Sequence, residues 1–321
     1  MSIRPLLSAL RLPVIAAPMF LVSSPELVIA CCRAGIVGSF PAPNLRTSAE
    51  LGGWMQRIRD ELAEEPPAQR PWPVAPWALN LVTHSTSPRL AGDLEQVAEY
   101  QPPIVITALG SPKPVLPTVH GYGGLVFADV ISEEFARKAV DAGVDGLVLV
   151  CSGAGGHTGE LSPLVFVERV RRFFDGYIAL AGAVNTGEAV LAAQVLGADF
   201  GYVGTGFIPA EESHAGPEYR QMLVDCTARD LMVTRAFTGA RASMLKPSMV
   251  RQGLDPAELE FKVAKMNFTG RQNEAVKPWT GIWGAGQGVG RIDRIEPAAD
   301  IIARLADEYA AARRRIRELC A

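Results

Sequence analysis

The sequence predicts a (β/α)₈ TIM barrel, an α/β fold of eight parallel strands closed into a ring, with a helical insertion after the eighth strand. Two observations predict it. Short apolar, β-branched runs alternate with amphipathic stretches, which is typical of a parallel sheet buried on both faces. The runs number eight, and eight such units close naturally into a barrel. An open doubly wound sheet is the alternative.

The strand and helix candidates follow one another in the order that this fold requires. The strand runs are Val14–Ala17, Ile36–Gly38, Trp77–Leu81, Ile104–Thr107, Leu125–Phe127, Gly146–Val150, Ile178–Ala181 and Phe200–Val203. The helical candidates are Ser24–Ala34, Ser48–Leu62, Glu133–Ala142, Pro163–Phe173, Glu188–Leu196 and the closing helix Pro297–Leu319. A helix that ends at a glycine and turns into a strand recurs at Gly35, Gly143 and Gly197, because glycine adopts the left-handed conformation without a Cβ penalty. This repetition indicates one repeated unit.

After the eighth strand the alternation breaks. Residues 208–277 are more polar, with helical stretches around Pro217–Arg229 and Asp255–Met266. We therefore predict a barrel built from residues 1–207 and 278–321, with residues 208–277 forming an insertion that covers one end.

Composition excludes several classes of protein. The 321 residues carry 31 Lys and Arg against 34 Asp and Glu, a formal charge of -3, which argues against a nucleic-acid surface. The apolar fraction of 48% is too high for disorder, and no uncharged apolar stretch reaches the ~18 residues of a membrane span. The N-terminus loosely resembles a signal peptide, but Arg11 and Pro13 interrupt it. Five cysteines without framework spacing favour a reducing cytoplasm.

Functional groups of such a barrel lie where its strands end. After the first strand, Pro18 stops ladder pairing, and Met19 is soft and apolar enough to lie against a flat ring. The alternative is a strand that ends in a turn with a core methionine.

The loop after the sixth strand is the second candidate. Residues 151–159 contain four glycines, which allow the backbone to approach a ligand, and His157 among them could accept a proton near neutral pH. A structural histidine is the alternative. We expect Cys151 to be buried and inert, and no further His or Cys nearby supports a metal site.

The turns after the seventh and eighth strands are the third candidate. Residues 181–183 and 203–206 each follow a strand and precede a helical segment. In barrels these two loops commonly hold a phosphate through main-chain amides at helix starts, and Thr205 adds a hydroxyl. The alternative is that both turns only connect a strand to the following segment.

Together these stretches resemble the nitronate monooxygenase family, formerly 2-nitropropane dioxygenases, which are FMN-dependent TIM-barrel flavoenzymes. The resemblance runs from about Leu12 to Gly290. Its anchors, in order, are AAPMFLVSSPEL near the start, ALNL at 78–81, GAGGHTG at 153–159, LAGAVNTG at 180–187, GADFGYVGTGF at 197–207 and WGAGQG at 283–288.

The resemblance implies roles for individual positions. His157 matches the histidine expected to remove a proton from a neutral nitroalkane. The implied FMN-binding positions are Ala17, Pro18, Met19, Asn80, Val150, Gly155, Gly156, Gly182, Tyr202, Val203, Gly204, Thr205, Gly286 and Gln287. Of these, the first three would line the flavin ring, and Gly182 with residues 202–205 would hold the phosphate end.

Two positions depart from the family pattern. Many members carry Gln where this chain has Val150, and a basic residue often follows the fifth strand, where this chain reads Phe127-Ala128-Asp129. The resemblance implies a nitronate or nitroalkane as substrate and O₂ as oxidant. An FMN-dependent NAD(P)H:quinone or enoyl-thioester reductase stays open, as does a barrel without flavin that binds a phosphorylated ligand as an isomerase, lyase or binding protein. A homodimer is compatible with the sequence, although no feature demands it.

Overall fold

The computed structural model describes residues 5–64, 71–264 and 279–320. Within these residues the chain forms β1 (Val14–Ala16), β2 (Gly38–Pro41), β3 (Trp77–Val82), β4 (Ile104–Ala108), β5 (Leu125–Val130), β6 (Gly146–Val150), β7 (Gly156–His157), β8 (Tyr177–Ala181), β9 (Phe200–Val203), β10 (Leu231–Thr234) and β11 (Ala242–Leu245). Eight of these strands form one parallel sheet in the order β1-β9-β8-β6-β5-β4-β3-β2. The Ala16 N–H donates to the Val37 carbonyl at 2.8 Å, and the Val37 N–H to the Val14 carbonyl at 3.1 Å. These bonds join the two edges, so the sheet closes into the predicted TIM barrel.

Alternate side chains of each strand pack in two separate apolar layers, because successive Cβ atoms of a strand point to opposite faces. The barrel interior contains Ile15, Ala78, Ile106, Phe127, Val148, Ala179, Phe200 and Tyr202. The outer layer, between strands and helices, contains Leu79, Val105, Leu147, Leu180 and Val203, together with apolar residues of the helices. Both faces of the sheet are therefore buried, as the charge-poor strand runs predict.

Helices surround the barrel. They are α1 (Pro5–Ser8), α2 (Pro25–Arg33), α3 (Ser48–Ala63), α4 (Leu90–Tyr100), α5 (Leu116–Gly121), α6 (Glu133–Ala142), α7 (Pro163–Arg171), α8 (Gly187–Leu196), α9 (Pro217–Asp225), α10 (Lys246–Arg251), α11 (Pro256–Leu259) and α12 (Ala298–Leu319). The three predicted corners are confirmed, since Gly35, Gly143 and Gly197 have φ of +90°, +98° and +110°. No helix in the described ranges is both long and apolar enough to traverse a lipid bilayer.

Two predicted boundaries differ from the structure. The second strand, predicted at Ile36–Gly38, runs instead over Gly38–Pro41, because Val37 bonds to β1 while the ladder with β3 begins one residue later. Helices α4 and α5 were not predicted.

The segment after β9 contains helices, as predicted, together with two strands that were not predicted. The predicted helix Pro217–Arg229 ends at Asp225, and the helix expected over Asp255–Met266 is helical only at Pro256–Leu259. Residues 265–278, including the predicted end of that helix, lie outside the described residues. Strands β10 and β11 form an antiparallel sheet with β7, in the order β10-β11-β7.

Candidate active site

The glycine-rich loops predicted from the sequence meet at the carboxyl-terminal end of the barrel, a region we call the mouth. The Gly286 N–H donates to Thr205 Oγ1 at 2.9 Å, and the Gln287 N–H donates to the Gly153 carbonyl at 3.0 Å. The structure therefore brings the loops after β6 and β9 together with the segment that precedes α12.

Two glycines allow this approach. A Cβ at Gly155 would lie 2.6 Å from the Gly286 nitrogen, and one at Gly182 would lie 2.7 Å from the Ser152 carbonyl oxygen. Contacts that short do not occur between real Cβ atoms and backbone. Gly182 also has φ of +132°, so the turn after β8 needs glycine for both space and conformation.

The end of the first strand joins the same mouth. The Ala17 N–H donates to the Val203 carbonyl at 2.8 Å. A Cβ at Gly204 would lie 3.5 Å from the Ala17 Cβ and 3.8 Å from Met19 Sδ, which are ordinary contacts. Pro18 and Met19 are both half-buried, so this first turn borders the loop after β9.

The remaining predicted strand positions divide between the two layers. Asn80 is buried and donates from Nδ2 to the Ile106 carbonyl at 3.0 Å, while Val150 and Tyr202 pack with the interior layer. The Val203 side chain packs in the outer layer, because it alternates with Tyr202. Val203 can therefore contribute only its main chain to a ligand in the mouth.

His157 lies on β7, which pairs with β11 of the insertion rather than with the barrel. Its Nε2 is 3.3 Å from Thr238 Oγ1, and its ring contacts Trp279 edge-to-face with centroids 5.4 Å apart. The Thr238 hydroxyl is also 3.4 Å from the Ala240 carbonyl oxygen, which can only accept. When the Thr238 proton points to Ala240, its oxygen accepts from Nε2–H, and Nδ1 carries the free lone pair.

The surroundings of His157 favour its neutral form. Burial lowers the pKa of its imidazole below the ordinary 6.5, because a charged ring is poorly solvated there. Burial has the opposite effect on the neighbouring thiol, raising the pKa of Cys151 to about 12. Cys151 is therefore a protonated, inert thiol, as expected from the sequence.

Sequence reasoning missed three functional candidates in this region. Thr238 lies 81 residues after His157, and no signal in the sequence connects the two. Trp279 packs beside the histidine without any motif to mark it. Asp129 had a signal, because it is a carboxylate at the end of an apolar strand, but it entered the sequence analysis only as a departure from the family pattern.

The main-chain amide at the start of α8 already has an acceptor within the chain. The first amide of α8, Gly187 N–H, donates to Glu308 Oε2 of α12 at 2.9 Å. A carboxylate of the same chain thus satisfies the first amide of this helix.

Unpaired donors lie instead in a cavity beside the loops after β8 and β9. The cavity has an empty volume of about 380 Å³, part of it open to solvent, and it is lined by Asn185, Gly206, Arg291 and Arg304, with Glu296 also present. Asn185 Nδ2 and Arg304 Nε are buried without a partner in the part of the chain that the structure describes. Two unpaired N–H groups beside guanidinium groups are suited to an acceptor oxygen. Across the described ranges, no three His, Cys, Asp or Glu side chains cluster as metal ligands would.

Comparison with known proteins assigns the family. The model of the nitronate monooxygenase family matches residues 4–308. The chain belongs to the nitronate monooxygenase family. This membership makes the protein an oxidoreductase. A nitronate monooxygenase of Paraburkholderia phytofirmans is 28% identical over an alignment of 343 positions that covers 92% of each chain. A Mycobacterium tuberculosis protein named as a monooxygenase is 28% identical over 220 residues, 64% of this chain and 59% of that protein.

Solved structures agree with the family's fold. Nitroalkane oxidase from Streptomyces ansochromogenes superposes with a TM-score of 0.78 at 23% identity, covering 96% of this chain and 98% of that one. FabK from Thermotoga maritima superposes with a TM-score of 0.76 at 23% identity, covering 98% and 97%. At these identities the likeness extends to the fold alone.

Proposed function

We propose that this protein is an FMN-dependent oxidoreductase that oxidises alkyl nitronates and nitroalkanes with O₂, with His157 as the general base. The observation that carries the proposal is the placement of a neutral, half-buried imidazole on the loop whose glycines pack against the other mouth loops. Gly155, two residues before His157, would place a Cβ only 3.1 Å from Thr205 Oγ1 of the loop after β9.

The donor set of the mouth fits a flat ring with an anionic tail. Residues 152–156, 182–185 and 204–206 present main-chain amides, one amide side chain and hydroxyls, with no carboxylate among them. Gly153, Gly156 and Gly182 have positive φ, which favours a concave backbone suited to an anion. Ala17, Pro18 and Met19 would border the ring. When bound, FMN would supply the electron acceptor for the substrate and deliver the electrons to O₂.

His157 would take the proton from the carbon next to the nitro group. In the tautomer in which Nε2–H donates to Thr238, Nδ1 would be the basic atom, and Thr238 would hold the ring through Nε2. Because the pKa of His157 is lowered, the base is unprotonated at neutral pH. Trp279 packs against the imidazole and limits the positions that the ring can adopt.

The deciding experiment is anaerobic mixing of the purified protein, reconstituted with FMN, with a nitronate or with NADH. We expect bleaching by the nitronate and not by NADH. Bleaching by NADH alone would replace the proposal by a reductase acting on quinones or enoyl thioesters. Protein that retains no flavin absorbance after reconstitution would favour the redox-silent phosphate-binding barrel.

The role of His157 is tested by His157→Ala on two substrates. Loss of the base should reduce turnover of a neutral nitroalkane by about 10²–10⁴-fold while preformed nitronate, which needs no proton removal, is affected far less. The matched control is His214→Ala, an exposed histidine of the insertion. Equal losses on both substrates would show that His157 does not act as the base.

A further inference from the structure

Asp129 is a carboxylate inside the barrel, which the proposed reaction does not use. It follows Phe127 by two residues on β5, and Phe127 packs in the interior layer, so alternation directs Asp129 to the interior at the mouth end of the strand. The side chain keeps some exposure as a whole, but its Oδ1 is fully buried and has no hydrogen-bond partner among the described residues.

A second buried polar group faces the same interior. Tyr202 on β9 is only 9% exposed and packs in the interior layer, and its hydroxyl has no partner within the described part of the chain. Burial raises the pKa of the Tyr202 phenol, and the charge of Asp129 raises it further, so the two groups lie within electrostatic reach of each other. Two orphaned polar groups in an otherwise apolar layer indicate that a bound molecule satisfies them.

Within residues 5–64, 71–264 and 279–320, no cation neutralises Asp129. On the strands beside β5, the residues that alternate into the interior at this level are Ile106, Ala108, Val148 and Val150, all apolar. The titratable group that β9 adds is Tyr202, which is itself neutral. Burial without a counter-charge raises the pKa of Asp129 to about 7, so small changes in nearby charge shift its protonation near neutral pH.

We propose that Asp129 is the proton-accepting group of the mouth, and that it takes up one proton whenever a molecule bound there gains a negative charge. Tyr202 is the neutral hydroxyl donor beside it. This inference rests on the proposed function, in which a cofactor in the mouth is reduced and reoxidised in each turnover. A molecule in the mouth that accepts two electrons from the substrate and one proton from solvent would gain one net negative charge. The Asp129 carboxylate then takes one proton from solvent to become a carboxylic acid, and releases it when O₂ removes the electrons.

The test is the pH dependence of the midpoint potential of the bound flavin, measured anaerobically with redox mediators between pH 6 and 9. Above pH 7 the wild type should take up one more proton per two electrons than Asp129→Asn. The reduction equilibrium of the wild type should therefore change by an additional tenfold per pH unit, about 30 mV for a two-electron couple.

Three further variants make the result decisive. Asp141→Asn removes an exposed carboxylate on α6 and should retain the wild-type slope. Tyr202→Phe removes the hydroxyl without a change of charge and should also retain it, with a shifted potential. Asp129→Ala is a second neutral variant, in case Asp129→Asn does not fold. Equal slopes for wild type and either Asp129 variant, in protein that binds flavin normally, would overturn this inference alone. A wild type that binds no flavin would overturn the proposed function.

Discussion

Replacing Asp129 by Asn should stabilise the protein at alkaline pH. The pKa of Asp129 rises from 3.8 to about 7 on folding, so the folded protein binds more protons than the unfolded chain between those values. The wild type therefore loses stability as the pH rises through this window, and the loss is complete above about pH 7. A pKa difference of about 3 between the folded and unfolded states corresponds to a change of about 4 kcal/mol in the free energy of unfolding. Because the side chain keeps some exposure, we expect about half of that.

About two of the three pH units of this window lie between pH 5 and pH 7. The difference in free energy of unfolding between Asp129→Asn and the wild type should therefore grow in favour of the variant by about 1–2 kcal/mol between pH 5 and pH 8. The assay is equilibrium unfolding in urea, followed by tryptophan fluorescence, at both pH values and at matched cofactor content. The exposed control Asp141→Asn should show no such growth. If the variant instead lost the same stability at both pH values, burial would not hold Asp129 neutral, and the reasoning would fail.

Three other predictions follow from the mouth loops. Ala183 has φ of +56°, so Ala183→Gly should raise the free energy of unfolding by about 1 kcal/mol in urea titrations; a loss would contradict the strained backbone. Gly155→Ala places a Cβ 2.6 Å from a backbone nitrogen and should weaken FMN binding at least tenfold by fluorescence titration, whereas Gly53→Ala, with open space around it, should leave affinity unchanged. For a neutral nitroalkane, kcat/KM should rise with pH and level off with a midpoint below 6.5, because burial lowers the pKa of His157; a midpoint above 6.5 would contradict that assignment.

The barrel could be predicted because each unit carries its own local signals. Apolar runs mark the strands, and Gly143 and Gly197 end helices in the left-handed conformation. The elements that were missed lack such signals. Helix α4 begins at Leu90 with no side-chain cap from Arg89 before it, and it contains Gly92, while α5 is short and contains Pro117.

The site could be predicted in its backbone but not in its side-chain environment. Glycine spacing after each strand identified the loops that meet, since closure of the barrel brings all strand ends to one face. The partner of His157 could not be found this way, because Thr238 reaches it through the pairing of β7 with β11. That pairing joins segments that are distant in sequence, and strand β10 is fully buried only at Thr234, so it lacks the continuous buried apolar run of the barrel strands.

The pairing of β7 with β11 has a consequence for engineering this scaffold. Thr238, the hydroxyl partner of the imidazole, belongs to the segment after β9, whereas His157 and the glycine-rich mouth loops belong to the barrel chain. A chimera that exchanges residues 208–264 between relatives would therefore exchange the strand and the hydroxyl that hold the imidazole, while His157 itself stays in place. The affinity for flavin should therefore follow the parent that supplies the barrel. The rate of proton transfer should also depend on the parent that supplies residues 208–264.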